Sequence, residues 1–185
     1  MTAWPSAEDG QDPDVGDRSL AFAEFAIART QDRLPGVDVE AMRMILRLTR
    51  VANAVVYDLE SSVHRPAGWS WSAFRLLFTL WNSGPVESKR AARLAGMSRA
   101  AVSSLTKTLV AAGLLTKVPD ASDGRAVLLA LSPEGAEQLV AVYQQHNRRE
   151  AEWASVLTDD ERATLNELLG KLSAAGQQRW VSRRD

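Results

Sequence analysis

Between Ser98 and Lys107 the chain reads SRAAVSSLTK, a spacing that sorts side chains by chemistry once it is wound into a helix. Each residue turns by about 100°, so Ala100, Ser103, Ser104 and Lys107 share one side with Arg99 on its flank. Val102, Leu105 and Leu109 recur at the spacing of the opposite, inward side. A face of small residues, hydroxyls and cations can lie close to the edges of nucleic-acid bases. Hydroxyls reach bases or phosphates, a small alanine admits a thymine methyl, and arginine or lysine prefers guanine or phosphate. Some twenty residues on, Asp123 and Arg125 sit in the turn-rich segment Pro119 to Arg125, whose only cation is Arg125. A guanidinium at such a loop tip suits a minor groove, and Asp123 is placed to orient it through a carboxylate contact.

The elements that must position these residues follow from the punctuation. Two short helical patterns meet at Ala95-Gly96-Met97, where a glycine can take the left-handed backbone of a tight turn, and Ser98 follows as an N-cap. That is a helix-turn-helix. After Ala112-Gly113, Leu114 to Val118 and Ala126 to Leu131 read as two strands of an antiparallel hairpin, a wing beside the second helix.

Upstream, residues 1–16 are rich in acid, proline and glycine and read as a disordered tail. From Asp17, Leu20, Phe22, Phe25, Ala26 and Ile27 give a short amphipathic helix ending at Leu34-Pro35-Gly36. It is expected to pack on a partner subunit or on the next helix. Asp38 to Val63 carries a stripe of Met42, Ile45, Leu46, Thr49, Ala52, Val56, Leu59 and Val63, with Arg43, Arg47 and Arg50 on or near the other side, solvated or reaching DNA. His64 to Gly68 breaks that helix. Trp69 to Trp81 forms the next, with Trp71, Phe74, Leu77, Phe78 and Trp81 inward. Past the wing, Ser132 and Pro133 open a long helix with Ala136, Leu139, Val140, Tyr143, Asn147, Ala154 and Leu157 on one side. Thr158 to Glu161 is a capping box that starts a last helix seamed by Leu165, Leu168, Leu169 and Leu172. Residues 177–185 read as a flexible tail.

The charge is placed unevenly. Residues 1–40 hold three arginines against nine acids, a balance of −6, whereas residues 86–125 hold seven Lys and Arg against three acids, a balance of +4. A basic excess confined to the helix-turn-helix and wing favours a nucleic-acid partner, because counterion release depends on cations facing phosphate. The chain has no cysteine, which excludes disulfides, thiolate nucleophiles and cysteine-based zinc sites. No apolar run approaches roughly 18 residues and no signal-peptide pattern opens the chain, so a cytoplasmic protein without membrane contact is expected. With two histidines, His64 and His146, and no glycine-rich phosphate loop, no catalytic arrangement is assembled, and no cofactor or metal site is expected. His146 and Glu150, one turn apart, read as a surface pair rather than metal ligands.

These features together resemble the MarR-type winged-helix transcriptional regulators. The resemblance rests on the helix-turn-helix, on Gly113-Leu114-Leu115 leading into the wing, on Asp123-Gly124-Arg125-Ala126 in the wing, and on Leu131-Ser132-Pro133-Glu134-Gly135 at its exit. It spans roughly Val39 to Leu172. Many members carry a further arginine ahead of the wing aspartate, where this chain has Ser122. The resemblance implies a mainly α fold with a small β-hairpin wing: a winged helix-turn-helix at 69–131, and a helical dimerisation region built from 17–68 and 132–176. It also implies a homodimer on a pseudo-palindromic double-stranded DNA site, acting as a repressor. A small-molecule effector would sit near the junction around His64, Trp69, Trp71 and Arg75, where aromatic walls, one cation and one titratable ring suit an aromatic carboxylate or phenol. The plainer reading of that cluster is tryptophans in the core beside a loop histidine. Two other functions stay open at this point: a winged-helix protein-interaction module using the same surface, and a small-molecule binding protein with residual DNA affinity.

Overall fold

The computed structural model describes residues 15–120 and 127–176 of the chain. The tail readings at 1–14 and 177–185, and Asp123 and Arg125 of the wing, lie outside those residues. The chain divides into two compact units, Met1–Val55 and Val56–Asp185.

In the first unit, helix α1 runs over Val15–Arg33, starting two residues ahead of the expected Asp17. Helix α2 spans Val39–Leu59, with Asp38 accepting from the Ala41 amide at 2.9 Å as its N-cap. Ala23 and Ile27 of α1 are buried. Arg43 and Arg47 are neither simply solvated nor left free for DNA: both donate to Glu24 of α1, at 3.3 and 3.0 Å, and Arg43 also pairs with Glu40. Among the described residues the apolar stripe of α2 is half-buried at Met42, Leu46 and Val56 and buried at Leu59, but open at its middle. Ile45 is 52% exposed and Val51 57%, and Met44 and Leu48 stand open beside them.

In the second unit, the helix continues past Leu59 as a π-helical turn over Glu60–His64, closed by the Arg65 amide donating to Glu60 O at 2.8 Å. The wider turn carries one extra residue, a feature that re-aims side chains. Val63 and His64 point inward and are buried, so the break expected at His64 begins one residue later. Helix α3, Trp71–Ser83, starts at Ser70, whose Oγ accepts from the Ala73 amide at 3.1 Å. Its deepest residues are Leu76, Leu77 and Leu80 with Ala73 and Phe74, while Trp81, expected inward, is 43% exposed. Trp81 does lie on the apolar side of α3, opposite Ser72, Arg75, Thr79 and Asn82, but near the helix's C-terminal end.

Strand β1 is two residues, Val86–Glu87, followed by α4 at Ser88–Ala95, α5 at Arg99–Ala111, β2 at Leu115–Pro119 and β3 at Val127–Leu131. The sheet order is β1-β3-β2, all antiparallel, with Leu115 opposite Leu131, Lys117 opposite Leu129, and Val86 also opposite Leu129. The two wing strands match the sequence reading. β1 was not foreseen, because two residues carry no alternation.

Helix α6 spans Pro133–Ala154 and α7 spans Asp159–Ala175. Ser132 Oγ accepts from the Gly135 amide at 2.9 Å and donates to Gly113 O at 2.6 Å, tying the start of α6 to the entry of the wing. Gly135 is required there: a Cβ on it would stand 2.1 Å from Leu114 O. The buried side of α6 is Gly135, Leu139, Val142 and His146, rotated from the expected side through Val140 and Asn147, both of which are exposed. The capping box of Thr158 and Glu161 forms as expected. The α7 leucines at 165, 168, 169 and 172 are all exposed, so that seam faces outward from the described chain.

The candidate nucleic-acid interface and the cavity behind it

The turn between α4 and α5 is built as its residue types demand. Gly96 takes the left-handed conformation, φ 61° and ψ 39°, and its amide donates to Arg93 O at 3.2 Å while the Met97 amide donates to Ala92 O at 2.9 Å. Two residues on, Ser98 Oγ accepts from the Ala101 amide at 3.2 Å and caps α5. Val102, Thr106 and Leu109 are buried against the core, with Leu105 partly so. That anchoring leaves Arg99, Ala100, Ser103, Ser104 and Lys107 exposed. One helix therefore presents two cations, two hydroxyls and a methyl to solvent, the set that a major groove can accept.

A second positive surface, outside the sequence reading of the site, lies on the preceding helix. Lys89, Arg90 and Arg93 of α4 line a depression of about 380 Å³ together with Glu87, Pro85 and Asp120. In a helix-turn-helix the first helix crosses the sugar-phosphate backbone, and three cations at i, i+1 and i+4 suit phosphates rather than bases. The signal was present in the local charge of residues 86–125 and was not assigned to particular side chains.

Behind α5, α3, α4 and α6 line an open depression of about 350 Å³. Helix α3 lines it with Trp71, Phe74, Arg75, Phe78 and Thr79, α4 with Leu94 and Ala95, and α6 with Tyr143, His146 and Glu150. Phe78 and Tyr143 stack with centroids 5.1 Å apart, and Phe74 lies 4.5 Å from His146, so the walls are flat and aromatic. Of the four residues read from sequence as an effector cluster, Trp71 and Arg75 line the cavity. Trp69 is buried in the core, and His64 is fully buried and stacks on Phe74 at 4.2 Å. The residues missed from sequence were Phe74, Phe78, Tyr143, His146 and Glu150. Tyr143, His146 and Glu150 recur at i, i+3 and i+7, the spacing that would have placed them on one face.

His146 overturns its surface reading. It is 3% exposed, with Nε2 3.1 Å from Glu150 Oε1 and Nδ1 3.1 Å from His64 Nε2. A carboxylate at Glu150 requires the proton on His146 Nε2, which makes Nδ1 an acceptor for the His64 Nε2 proton and leaves His64 Nδ1 bare. That atom is buried with no hydrogen-bond partner among the described residues. Burial, with His146 alongside, pulls His64 down from its ordinary 6.5 to about 4. Burial also lowers His146, against the opposing pull of Glu150. Both rings are neutral at pH 7. Arg75, on the opposite wall, directs Nη2 to the carbonyls of Ala95 and, at 3.4 Å, Gly96.

Among the described residues no helix is long and apolar enough to cross a membrane, and no group of three or more His, Cys, Asp or Glu is placed to hold a metal ion. A family model described as MarR family matches residues 69–127. The chain is 30% identical over 137 residues to the uncharacterized HTH-type transcriptional regulator YwaE of Bacillus subtilis, covering 74% of this chain and 80% of that protein. It is similar to the crystal structure of a probable transcriptional regulator from Pseudomonas aeruginosa, with TM-score 0.61, 25% identity, and coverage of 68% of this chain and 92% of the other. A mutant MarR from E. coli complexed with operator DNA shares the fold, with TM-score 0.60, 23% identity, and coverage of 70% and 95%.

Proposed function

Because the chain belongs to the MarR family of DNA-binding transcriptional regulators, we propose that it represses transcription as a homodimer. Each protomer would set α5 into one of two successive major grooves of a pseudo-palindromic operator, and a small aromatic anion in the cavity would release the DNA. The observation that carries this reading is the outward face of α5, where Arg99, Ala100, Ser103, Ser104 and Lys107 stand exposed beside the Lys89, Arg90 and Arg93 surface of α4. Base-edge and phosphate chemistry are thus supplied by two consecutive helices, as reading a duplex requires. The E. coli relative solved with operator DNA supports the choice of partner.

Dimerisation is supported by apolar surface that the chain leaves open. Met44, Ile45, Leu48 and Val51 on α2, and Leu165, Leu168, Leu169 and Leu172 on α7, are exposed in rows that a monomer has no reason to keep in water. The effector reading is supported by the cavity, whose aromatic walls and single arginine suit a flat anion.

Selection of bound sequences from random double-stranded DNA tests the whole reading. The expected result is a two-fold symmetric motif with half-sites about one helical turn apart. Recovery of no motif would remove the operator claim.

A further inference from the structure

Two carbonyls close the turn that leads into α5, and neither finds its partner in the backbone. Ala95 O and Gly96 O lie at the C-terminal end of α4, where a helix has no N–H of its own left to offer. Among the described residues no backbone amide donates to either. Arg75 of α3 supplies the donor instead, with Nη2 directed to Ala95 O and, at 3.4 Å, to Gly96 O. A cation there also suits the helix dipole. Contact is close, since a Cβ on Gly96 would stand 3.1 Å from Nη2. A side chain at position 96 and the guanidinium in its present place therefore exclude one another.

That contact acts on the end of α5 that meets bases. In a helix-turn-helix the first helix crosses the sugar-phosphate backbone, and the second sets its N-terminal residues on base edges. The core anchors α5 through Val102, Thr106 and Leu109, so its first turn, with Arg99 and Ala100 exposed, projects ahead of the first anchor. The turn before it is fixed by the Ser98 cap, the partly buried Met97 and Arg75. Lys89, Arg90 and Arg93, by contrast, stand on α4 itself, ahead of the turn, where they suit phosphates. We propose that Arg75 is a specificity-determining residue that acts without contacting DNA. It holds the N-terminal end of α5 in register with the α4 cations, so that phosphate anchoring and base reading engage together. Phosphate contacts carry no sequence information, whereas bonds to base edges depend on distance and angle. Without Arg75 the chain keeps its grip on any duplex and loses its preference for one. The inference rests on the reading role given to α5 above, and adds the residue that aims it.

The test uses the full chain, a duplex obtained by selection and a scrambled duplex of the same composition. Arg75→Met keeps an apolar stem and removes the donors. It should bind the selected duplex about tenfold more weakly, the discrimination that one base contact provides, with unchanged affinity for the scrambled duplex and an unchanged salt slope. Arg75→Lys returns a charged donor and should recover most of that loss. A side chain that merely supported folding would instead lower the melting temperature and both affinities alike. Gly96→Asn tolerates the left-handed backbone but displaces the guanidinium, so it should reproduce the loss with Arg75 present and add nothing in the Arg75→Met background. The single Gly96→Asn variant decides the matter if Arg75→Met proves unfolded by circular dichroism. An unchanged ratio of the two affinities in either folded variant would overturn the positioning role and leave the reading role of α5 standing, as would equal loss on both duplexes. If selection with the wild-type chain recovered no motif, both would fall.

Discussion

His64 Nε2 lies 3.1 Å from His146 Nδ1, joining residues 82 apart in sequence inside an aromatic stack of Trp71, Phe74 and Tyr143. The pair exists because the π-helical turn at Glu60–His64 rotates one ring inward and the buried side of α6 supplies the other.

The pair makes folding stability depend on pH with a definite sign. Both are bases held below their ordinary value, so the unfolded chain binds the proton more readily than the folded one. Stability is therefore intact above pH 6.5 and is lost as pH falls toward about 4. His64 alone should contribute a slope of about 1.4 kcal/mol per pH unit across that window. Urea unfolding at stepped pH measures it. His64→Gln should be less stable at pH 7 but flatter in this range, and an unchanged slope would show that another group carries the effect.

At the exit of the wing, backbone proximity predicts a large effect from one methyl group. Gly135→Ala places a Cβ against Leu114 O, where no flexible side chain can yield, and should cost about 3 kcal/mol or more. Ser132→Ala removes the α6 cap and leaves Gly113 O unpaired, with an expected loss of about 1–2 kcal/mol. Thermal or urea denaturation that ranked the two the other way would contradict the packing described for this junction.

On the reading face, Ser103 and the α4 cations should behave differently. If Ser103 meets a base edge, Ser103→Ala changes preference by about 1–3 kcal/mol at one position of each half-site. Arg93→Ala should instead weaken all sequences alike and reduce the slope of log affinity against log salt by about one. Salt titrations on the selected operator and on scrambled duplex separate the two patterns. Arg125→Ala is expected to follow Arg93, with greater loss on sites flanked by A·T tracts.

The exposed leucine row of α7 and the apolar row of α2 give a prediction in solution. Leu168→Glu or Ile45→Glu should shift the protein from dimer to monomer in sedimentation at micromolar concentration, because each would bury an unpaired charge in the interface. DNA affinity should fall with it, since one reader offers too few phosphate contacts. Dimers that persisted in both variants would move the interface elsewhere.

The sequence by itself determined the turn between α4 and α5 and the outward face of α5. Gly96, Ser98 and the spacing of Val102, Leu105 and Leu109 act through bonds and rotations within a few residues, so turn, cap and outward face could be read before any packing was known. The same holds for the capping box at Thr158 and the wing strands, whose signals are local. What the tertiary structure alone decided depends on which element each helix meets. The apolar side of α3 is broad, and only contact with α4 and α6 divides it into a core part at Leu76, Leu77 and Leu80 and a part at Trp71 and Phe78 that lines the depression with Arg75. α6 buries a histidine and a glycine that hydropathy places outside, because an aromatic stack shelters one and the Leu114 backbone crowds the other. Arg75 read as a ligand cation, but its hold on Ala95 and Gly96 spans a gap of some twenty residues and is set by the fold.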